Sequence, residues 1–313
     1  MNHVIALDVG GTGIKAALVG PGHELLYEAR RPTGRERGPQ AVVTGILDFA
    51  AELKALGQER FGRPASAVGA AVPGIVDTGR GTAVYAANLG WREVPLRDLL
   101  TERLGIPAAL GHDVRTGGLA EGRIGAGQGT DRFLFVPLGT GIAGAIGIDG
   151  RVEAGAHGYA GEIGHVVVRP GGPECGCGGR GCLETLASAA AVGRAWARAS
   201  GVPDADAADC ARAVADGDER ARAVWQHAVD ALADGLVIGL TLLDPRILII
   251  GGGLAEAGEV LFTPLRTAVA ERLTFQRPPR IVPAALGDTA GCLGAGLLAW
   301  DLLTTESMEV TAR

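Results

Sequence analysis

The sequence lacks a Lys- or Arg-rich block, and its 313 residues carry a net charge of -6. Nucleic-acid binding draws much of its affinity from positive groups that neutralise phosphates. The acidic balance therefore disfavours a general nucleic-acid binder, and we expect no nucleic-acid partner.

A leader-like start and a long uninterrupted apolar run are also missing. Residues 1–8 contain no basic stretch and no small-residue cleavage site, so we predict no signal peptide. Apolar runs such as Gly235–Leu243 are short and bounded by acidic residues, here Asp234 and Asp244, whereas a membrane-spanning helix needs about 20 apolar residues. We expect no membrane partner and a cytoplasmic location.

Cysteine is scarce, and its count of five is odd. Few cysteines suit a reducing compartment and argue against a disulfide scaffold. Hydrophobic residues make up 47% of the chain, so a large core can form without disulfides, and the length is sufficient for two domains. Cys210 and Cys292 stand alone, and we interpret both as buried residues without a role.

The other three cysteines, Cys175, Cys177 and Cys182, lie within eight positions with glycines between them, and His165 precedes them by ten residues. Structural zinc takes four Cys or His ligands, and glycine allows a loop to fold tightly around them. We predict a zinc site. The alternative is a disulfide with a spare thiol, although a Cys-x-Cys pair seldom forms an unstrained bridge.

Two acidic residues, Glu162 and Glu184, flank this cluster. Carboxylates held on a rigid loop are good acceptors for vicinal hydroxyls, although solvated surface charge is the simpler interpretation. His165 could bind metal through one ring nitrogen and donate a hydrogen bond from the other. Asn88, in an apolar loop, is either a turn residue or a sugar contact.

Short apolar runs alternate with amphipathic helical segments, which indicates α/β layering. An apparent hairpin formed by Val4–Val9 and the run that resumes at Ile14 adds antiparallel strands, so the predicted sheets are mixed. The tetrapeptide Gly-Thr-Gly-Ile occurs at Gly11–Ile14 and again at Gly139–Ile142, each time between two predicted strands. This repeat predicts two related domains, although chance could produce one such match in a Gly-rich chain.

The first repeat lies in Asp8-Val-Gly-Gly-Thr-Gly-Ile-Lys15. Glycines let backbone N–H groups approach a phosphate, and the Thr12 hydroxyl adds a donor. Asp8 would repel phosphate directly, so its predicted role is to hold hydrated Mg²⁺. An ordinary hairpin is the alternative, because the loop is neither a Walker A motif nor a dinucleotide fingerprint.

Two further Gly loops follow predicted strands. Gly139–Gly141 could clamp a polyphosphate together with the first loop. Gly251–Gly253 precedes a helix and could admit a flat ring such as adenine, although taken alone it is better explained as a strand-to-helix turn.

Asp113 ends a predicted strand and begins a helix. It can be a helix cap, or the carboxylate that accepts the proton of an attacking hydroxyl during phosphoryl transfer. His112 beside it could bind a hydroxyl or be a half-exposed neighbour without a role.

Together, the Asp8–Thr12 loop, the Glu162–His165 motif and the cysteine motif ending at Glu184 resemble the ROK family of bacterial sugar kinases and repressors. The similarity covers nearly the whole chain, and the cysteine motif with its upstream Glu-x-x-His is the most specific part. The resemblance implies an α/β fold of two actin/hexokinase-like (ribonuclease H-like) domains, with mixed sheets flanked by helices and a cleft between them. The expected domains are residues 1–116 plus 294–313, and residues 117–293 with the zinc loop.

The resemblance also implies transfer of the γ-phosphate of ATP, with Mg²⁺, to a hexose, commonly the 6-hydroxyl of glucose. Asp113 would be the catalytic base, and homodimers or homotetramers are expected because relatives often form them. The implied sugar-binding residues are Asn88, His112, Asp113, Glu162, His165 and Glu184. The implied nucleotide-binding residues are Asp8, Gly10, Gly11, Thr12, Lys15, Gly139, Thr140, Gly141, Gly252 and Gly253. The implied structural Zn²⁺ ligands are His165, Cys175, Cys177 and Cys182.

One departure from the family pattern concerns the substrate. Family kinases usually carry Asn directly before the catalytic Asp, whereas this chain has His112. An imidazole is bulkier, and its donor pattern changes with pH. Another hexose, N-acetylglucosamine or N-acetylmannosamine therefore stays open as substrate. Whether polyphosphate replaces ATP as the donor is a separate question that the sequence leaves open.

The start of the chain bears on regulation. Family repressors carry a DNA-binding segment before the first phosphate loop, whereas Asp8 lies almost at the start of this sequence, so we expect a kinase rather than a regulator. A non-catalytic sugar sensor is the alternative. A zinc-stabilised interaction module would leave the phosphate loops unexplained.

Overall fold

The computed structural model describes residues 1–311, with side chains as far as Thr304. The chain divides into two compact units. Unit 1 comprises Met1–Ala120, Ala154–Tyr159 and the segment that begins at Asp288, and unit 2 comprises Glu121–Glu153 and Ala160–Gly287. Residues 312–313, the end of the predicted small domain, lie outside the described residues.

Strands and helices alternate along much of the chain. The strands are β1 (Val4–Val9), β2 (Gly13–Val19), β3 (Leu25–Pro32), β4 (Val68–Val72), β5 (Ile75–Asp77), β6 (Thr82–Ala86), β7 (Trp91–Val94), β8 (Ala108–His112), β9 (Arg132–Pro137), β10 (Ala145–Ile148), β11 (Arg151–Glu153), β12 (Ile247–Gly251) and β13 (Arg280–Pro283). The α-helices are α1 (Pro39–Phe61), α2 (Leu96–Leu104), α3 (Asp113–Ile124), α4 (Leu183–Ala187), α5 (Ala189–Ser200), α6 (Ala207–Ala215), α7 (Glu219–Leu243), α8 (Glu259–Arg272) and α9 (Ala290–Thr311).

Unit 1 is built on a mixed sheet with strand order β3-β2-β1-β4-β8, in which β1 pairs antiparallel with β2 and parallel with β4. Side chains alternate between the two faces of β1. Ile5, Leu7 and Val9 join the core that includes α1 and α2, whereas Val4 and Ala6 join the core that includes α9. Small residues on the second face let α9 approach closely.

The contact at Gly69 illustrates that approach. A Cβ built on Gly69 of β4 would lie 1.9 Å from the carbonyl oxygen of Ala295 in α9. Only glycine leaves room for the helix backbone at this position. The close packing of α9 therefore depends on this residue.

Unit 2 repeats the pattern with strand order β11-β10-β9-β12-β13, again three antiparallel strands followed by two parallel ones. The same strand order in both sheets is what the internal Gly-Thr-Gly-Ile repeat predicts. The core of unit 2 lies around α7, whose Trp225, Leu232 and Leu236 are buried.

Helix α7 corrects one expectation. By length and composition it could cross a membrane, with a mean hydropathy of 1.2 over its most apolar window, although half of that window is buried in the protein. We underestimated the length of this apolar segment because Asp230 and Asp234 interrupt it. Both acidic side chains are paired with Arg272, and Asp234 also pairs with Arg169. α7 packs against α4, α5, α6 and α8 as a core helix of unit 2.

Unit 1 also contains a small antiparallel sheet, β5-β6-β7, that the sequence analysis did not predict. Its strands are three to five residues long. The turn between β6 and β7 carries Asn88, so this sheet positions one of the predicted sugar-binding residues.

Candidate active site and metal centre

The four predicted metal ligands lie together in unit 2. The donor atoms of His165, Cys175, Cys177 and Cys182 are all within 4.8 Å of one another. His165 Nδ1 is 3.5 Å from Cys175 Sγ, and Cys177 Sγ is 3.7 Å from Cys182 Sγ. With zinc–ligand bonds of about 2.0–2.3 Å, tetrahedral ligands are roughly 3.3–3.8 Å apart, so this donor set fits zinc. None of the three cysteines is in a disulfide, so all three sulfurs are available as ligands.

Glycines shape the loop that carries these thiols. The Cys175 N–H donates to Gly179 O at 2.9 Å, and the Gly178 N–H donates to Cys175 O at 3.0 Å. Gly181 has a φ of 73°, and a Cβ there would lie 1.7 Å from the carbonyl oxygen of Arg169. A side chain at this position would force the loop apart.

The pKa values of two of these thiols are shifted in opposite directions. The Gly179 N–H donates a hydrogen bond to Cys177 Sγ and is the main cause that lowers the pKa of this exposed thiol. Burial raises the pKa of Cys182 to about 12. Metal ligation requires thiolates, so a metal that binds here would have to remove the proton of Cys182 despite the raised pKa of this thiol.

His165 connects the metal centre to Glu162. Its Nδ1 faces Cys175, whereas its Nε2 lies 3.9 Å from Glu162 Oε2. A histidine ligand commonly presents its second nitrogen to a carboxylate, which fixes the orientation of the ring. The side chains of His165 and Glu162 are 37% and 35% exposed, so both are accessible to a ligand.

Glu184 lies in the first turn of α4, two residues after Cys182. Its Oε2 accepts a hydrogen bond from the Ile142 N–H at 2.8 Å. A Cβ built on Gly141 would lie 2.4 Å from the same oxygen. The predicted sugar-binding carboxylate therefore packs directly against the predicted phosphate loop Gly139–Gly141.

The two Gly loops of unit 2 are neighbours at the carboxyl ends of the parallel strands β9 and β12. The Leu138 N–H donates to Gly251 O at 2.8 Å, and the Leu254 N–H donates to Leu138 O at 3.1 Å. Gly252 has a φ of 78°, and a Cβ there would lie 2.6 Å from Leu138 N. Ligands of open α/β sheets bind at this end of the strands.

The first predicted phosphate loop connects β1 and β2 in unit 1. The Gly10 N–H donates to Gly13 O at 2.8 Å. Thr33, which the sequence analysis missed, is 2% exposed and holds the loop from outside. Its hydroxyl donates to Gly10 O at 2.7 Å, and its N–H donates to Thr12 O at 3.0 Å. The available signal was a threonine directly after the proline that ends β3.

Asp8 and Lys15 face each other across the same hairpin. They are cross-strand partners, with Lys15 Nζ 3.8 Å from Asp8 Oδ2, and the ammonium also pairs with Asp288. Burial is the main cause that raises the pKa of Asp8, and the charge of Lys15 opposes it. A buried carboxylate of this kind is stabilised by a cation.

Asn88 is brought against the first loop. Its amide nitrogen lies 3.1 Å from the position that a Cβ of Gly11 would occupy. The predicted sugar contact and a predicted nucleotide contact are therefore in close proximity within unit 1.

Asp113 begins α3, directly after β8. Its Oδ1 accepts a hydrogen bond from the Val114 N–H at 2.7 Å. His112 is buried at 7% exposure, its Nδ1 accepts from the Arg115 N–H at 3.4 Å, and its Nε2 lies 3.3 Å from Asp113 Oδ1. Burial, followed by the charge of Arg115, lowers the pKa of His112 to about 3. Contrary to our expectations, the ring is neither half-exposed nor a group that titrates near neutrality.

The predicted site residues thus form two groups. Asp8, Gly10–Thr12, Lys15, Asn88, His112 and Asp113 belong to unit 1. Gly139–Gly141, Gly252, Gly253, Glu162, His165, Glu184 and the three clustered cysteines belong to unit 2.

Known proteins with similar sequences and structures agree in one family. The ROK family profile matches residues 4–301. A glucokinase from Thermotoga maritima is 36% identical over 308 residues, covering 93% of this chain and 95% of that protein. An N-acetyl-D-glucosamine kinase from Escherichia fergusonii is 33% identical over 313 residues, covering 93% of this chain and 97% of that protein. The crystal structure of a ROK family glucokinase from Streptomyces griseus, in complex with glucose and AMPPNP, has a TM-score of 0.82 at 32% identity, covering 96% of this chain and 100% of that chain.

The structure has two mixed five-stranded sheets flanked by helices, and nearly the whole chain matches a solved kinase. This architecture is that of the actin-like ATPase class with two domains. The predicted fold class is confirmed. Within that class, the chain belongs to the ROK family.

Proposed function

We propose that this protein transfers the γ-phosphate of ATP to the 6-hydroxyl of glucose. It is an ATP-dependent sugar kinase, and the observation that carries the choice of substrate is its similarity, over 96% of its length, to a glucokinase solved with glucose and AMPPNP. The similarity to glucokinases extends to 36% identity.

Asp113 is the proposed catalytic base. As the sugar oxygen forms its bond to the γ-phosphorus, the bond from that phosphorus to the bridging oxygen of ADP breaks, and the hydroxyl proton passes to the Asp113 carboxylate. The hydrogen bond from the Val114 N–H to Oδ1 supports this assignment, because it holds the carboxylate in one orientation.

The phosphates are assigned to the Gly loops. The backbone N–H groups of Gly10–Thr12 and Gly139–Gly141 are the proposed donors, with Gly252 and Gly253 lining the base or ribose. Bound Mg²⁺ would neutralise charge on the phosphate oxygens. Asp8 is the proposed residue to hold its hydration shell, since a cation would relieve the burial of this carboxylate.

The sugar is assigned to Asn88, His112, Glu162, His165 and Glu184, in addition to Asp113. The carboxylates would accept hydrogen bonds from hydroxyls, and the His165 ring nitrogen that faces Glu162 would contact the sugar. His165 and the three clustered cysteines are the proposed zinc ligands. Bound zinc would act structurally, by holding His165 and the start of α4.

A second candidate substrate is an N-acetylated amino sugar. Two observations favour it: the 33% identity to an N-acetyl-D-glucosamine kinase, and His112 in place of the usual Asn.

We further propose a cytoplasmic homodimer or homotetramer with no nucleic-acid or membrane partner. Unpaired cysteines support the reducing compartment.

A coupled ADP-release assay across a hexose panel tests the proposal. We expect glucose to give a kcat/KM at least tenfold above those of mannose, N-acetylglucosamine and N-acetylmannosamine. Preference for an acetylated sugar would replace glucose by the second candidate. If none of the sugars is phosphorylated, with either ATP or polyphosphate as donor, the kinase assignment would be contradicted and a sugar sensor favoured.

A further inference from the structure

Glu184, which we assign to the sugar, contacts the loop that we assign to the nucleotide phosphates. We propose that Glu184 is a positioning residue for the phosphate loop Gly139–Gly141, and that this carboxylate couples sugar binding to nucleotide binding. The inference rests on the proposed function, which supplies the sugar for Glu184 and the phosphate for the loop.

The loop itself is a tight turn that needs support from outside. The Gly139 N–H donates to Gly141 O at 3.1 Å, and Leu138 and Ile142 form an isolated bridge across its base. Two of its three residues are glycines, which cost the most conformational entropy to fix. The backbone freedom of these two glycines would therefore leave an unsupported loop with many conformations.

Two hydrogen bonds from residues 184–189 hold the ends of the loop. On one side, the Ala189 N–H donates to Gly139 O at 2.9 Å. On the other, Glu184 Oε2 accepts from the Ile142 N–H at 2.8 Å. Glu184 is the charged member of this pair of contacts, and hydrogen bonds to ionised groups are about twice as strong as neutral ones.

Gly141 makes the contact closer still. A Cβ at this position would lie 2.4 Å from Glu184 Oε2, so the glycine backbone is packed directly on the carboxylate. Any displacement of the Glu184 side chain would remove both the packing surface of Gly141 and the partner of the Ile142 N–H. The position of the loop is thus sensitive to the rotamer of one side chain.

Coupling follows from this arrangement. Glu184 is half-buried, and a sugar hydroxyl that donates to its carboxylate would fix its rotamer before the nucleotide arrives. Ordering the loop then costs less on nucleotide binding, and linkage requires that nucleotide improves sugar affinity by the same factor. Because Cys182 directly precedes α4, an intact metal loop supports the same contact.

Matched variants of Glu184 and Glu162 separate the contact with the loop from the contact with the sugar. Glu184→Ala removes the acceptor for Ile142 and the proposed sugar contact. Glu184→Gln keeps an oxygen acceptor at the same reach. Glu162→Ala removes a proposed sugar contact that has no hydrogen bond to the phosphate loop. Each variant would be compared with the wild type for folding by circular dichroism and for zinc content.

The readout is the Kd of ADP with Mg²⁺, measured calorimetrically with and without glucose. Without glucose, we expect Glu184→Ala to raise the Kd of ADP about tenfold, the loss expected for a charged hydrogen bond. Glu162→Ala should stay within about twofold of the wild type. Glu184→Gln keeps an acceptor but loses the charge, so it should raise the Kd of ADP by less than Glu184→Ala does. Glucose should tighten ADP binding in the wild type but not in Glu184→Ala.

Several outcomes separate the two proposals. If a folded Glu184→Ala variant binds ADP as the wild type does, the positioning role is wrong, whatever happens to glucose binding. If neither Glu162→Ala nor Glu184→Ala weakens glucose binding, the proposed sugar site is wrong instead. Should Glu184→Ala fail to fold, Glu184→Asp shortens the side chain while keeping its charge, and an unchanged ADP Kd in that variant would overturn the inference.

Discussion

The hydroxyl of Thr33 donates a hydrogen bond to the carbonyl oxygen of Gly10 at 2.7 Å, and the backbone of Thr33 holds Thr12 as well. Thr33 is buried, so loss of its hydroxyl leaves the Gly10 carbonyl without that donor. Such a loss usually costs about 1–3 kcal/mol. This residue therefore connects the stability of unit 1 to the shape of the first phosphate loop.

We expect Thr33→Val to lower the free energy of unfolding by about 1–2 kcal/mol and to raise the KM for ATP severalfold. Thr33→Ser keeps the hydroxyl and is the matched control. Urea unfolding and steady-state kinetics give both quantities. Equal KM values for ATP in the valine and serine variants would contradict a role for this hydrogen bond in the loop.

Asp113→Asn should lower kcat by about three orders of magnitude, because general base catalysis typically contributes about 10²–10⁴-fold. The amide keeps the shape of the side chain, so the Kd of glucose should change by less than about threefold. Calorimetry measures binding, and the ADP-release assay measures turnover. A variant with near wild-type kcat would show that another group takes the proton.

Purified protein should contain about one zinc per chain, since four ligands of the preferred types converge. Cys182→Ala should abolish zinc retention and lower the Tm, because a buried ligand is lost. Cys210→Ala is the control, a buried cysteine outside the cluster. Metal analysis and thermal unfolding provide the test, and zinc bound equally by both variants would refute the ligand assignment.

The pKa of about 3 for His112, against an ordinary value of 6.5, predicts a pH dependence of stability. As pH falls from 6.5 towards 3, the unfolded chain takes up a proton that the folded chain does not. The free energy of unfolding should therefore fall with pH, by at most about 1.4 kcal/mol per unit for this proton. At higher pH the ring is neutral in both states and contributes no slope.

His112→Asn places the family's usual residue at this position and removes the titrating ring. Its unfolding free energy should depend less steeply on pH between 6 and 4 than that of the wild type, as measured by urea unfolding. The comparison cancels protonation of the groups that do not contact His112, including the metal ligands. Identical slopes would mean that folding does not lower the pKa of His112.

Much of the fold could be predicted from local pattern. The buried run of β1, the Gly turn after it and the repeat at Gly139 each depend on residues close in sequence, and the structure has strands at each. The small sheet β5-β6-β7 escaped prediction because its strands are very short. The apolar length of α7 was underestimated because the arginines that pair with its acidic residues lie far away in sequence.

The candidate site divides in the same way. The cysteine cluster was predictable, because its spacing alone brings the donors together. The contacts of Thr33 with Gly10, of Asn88 with Gly11 and of Glu184 with Ile142 were not, because each joins segments that only the fold brings together. Burial of His112 likewise depends on its place at the end of β8, so the sequence suggested the wrong exposure for the ring.

Synthesis of the chain runs in the order of its residues, and α7 is complete before α8 exists. Asp234 has Arg169 as an earlier partner, but Arg272 and the helix α8 that packs on α7 are added only about 38 residues later. A nascent chain in that condition is prone to aggregation. Translation rate and growth temperature should therefore affect the yield of soluble protein more than they affect the stability of the finished molecule.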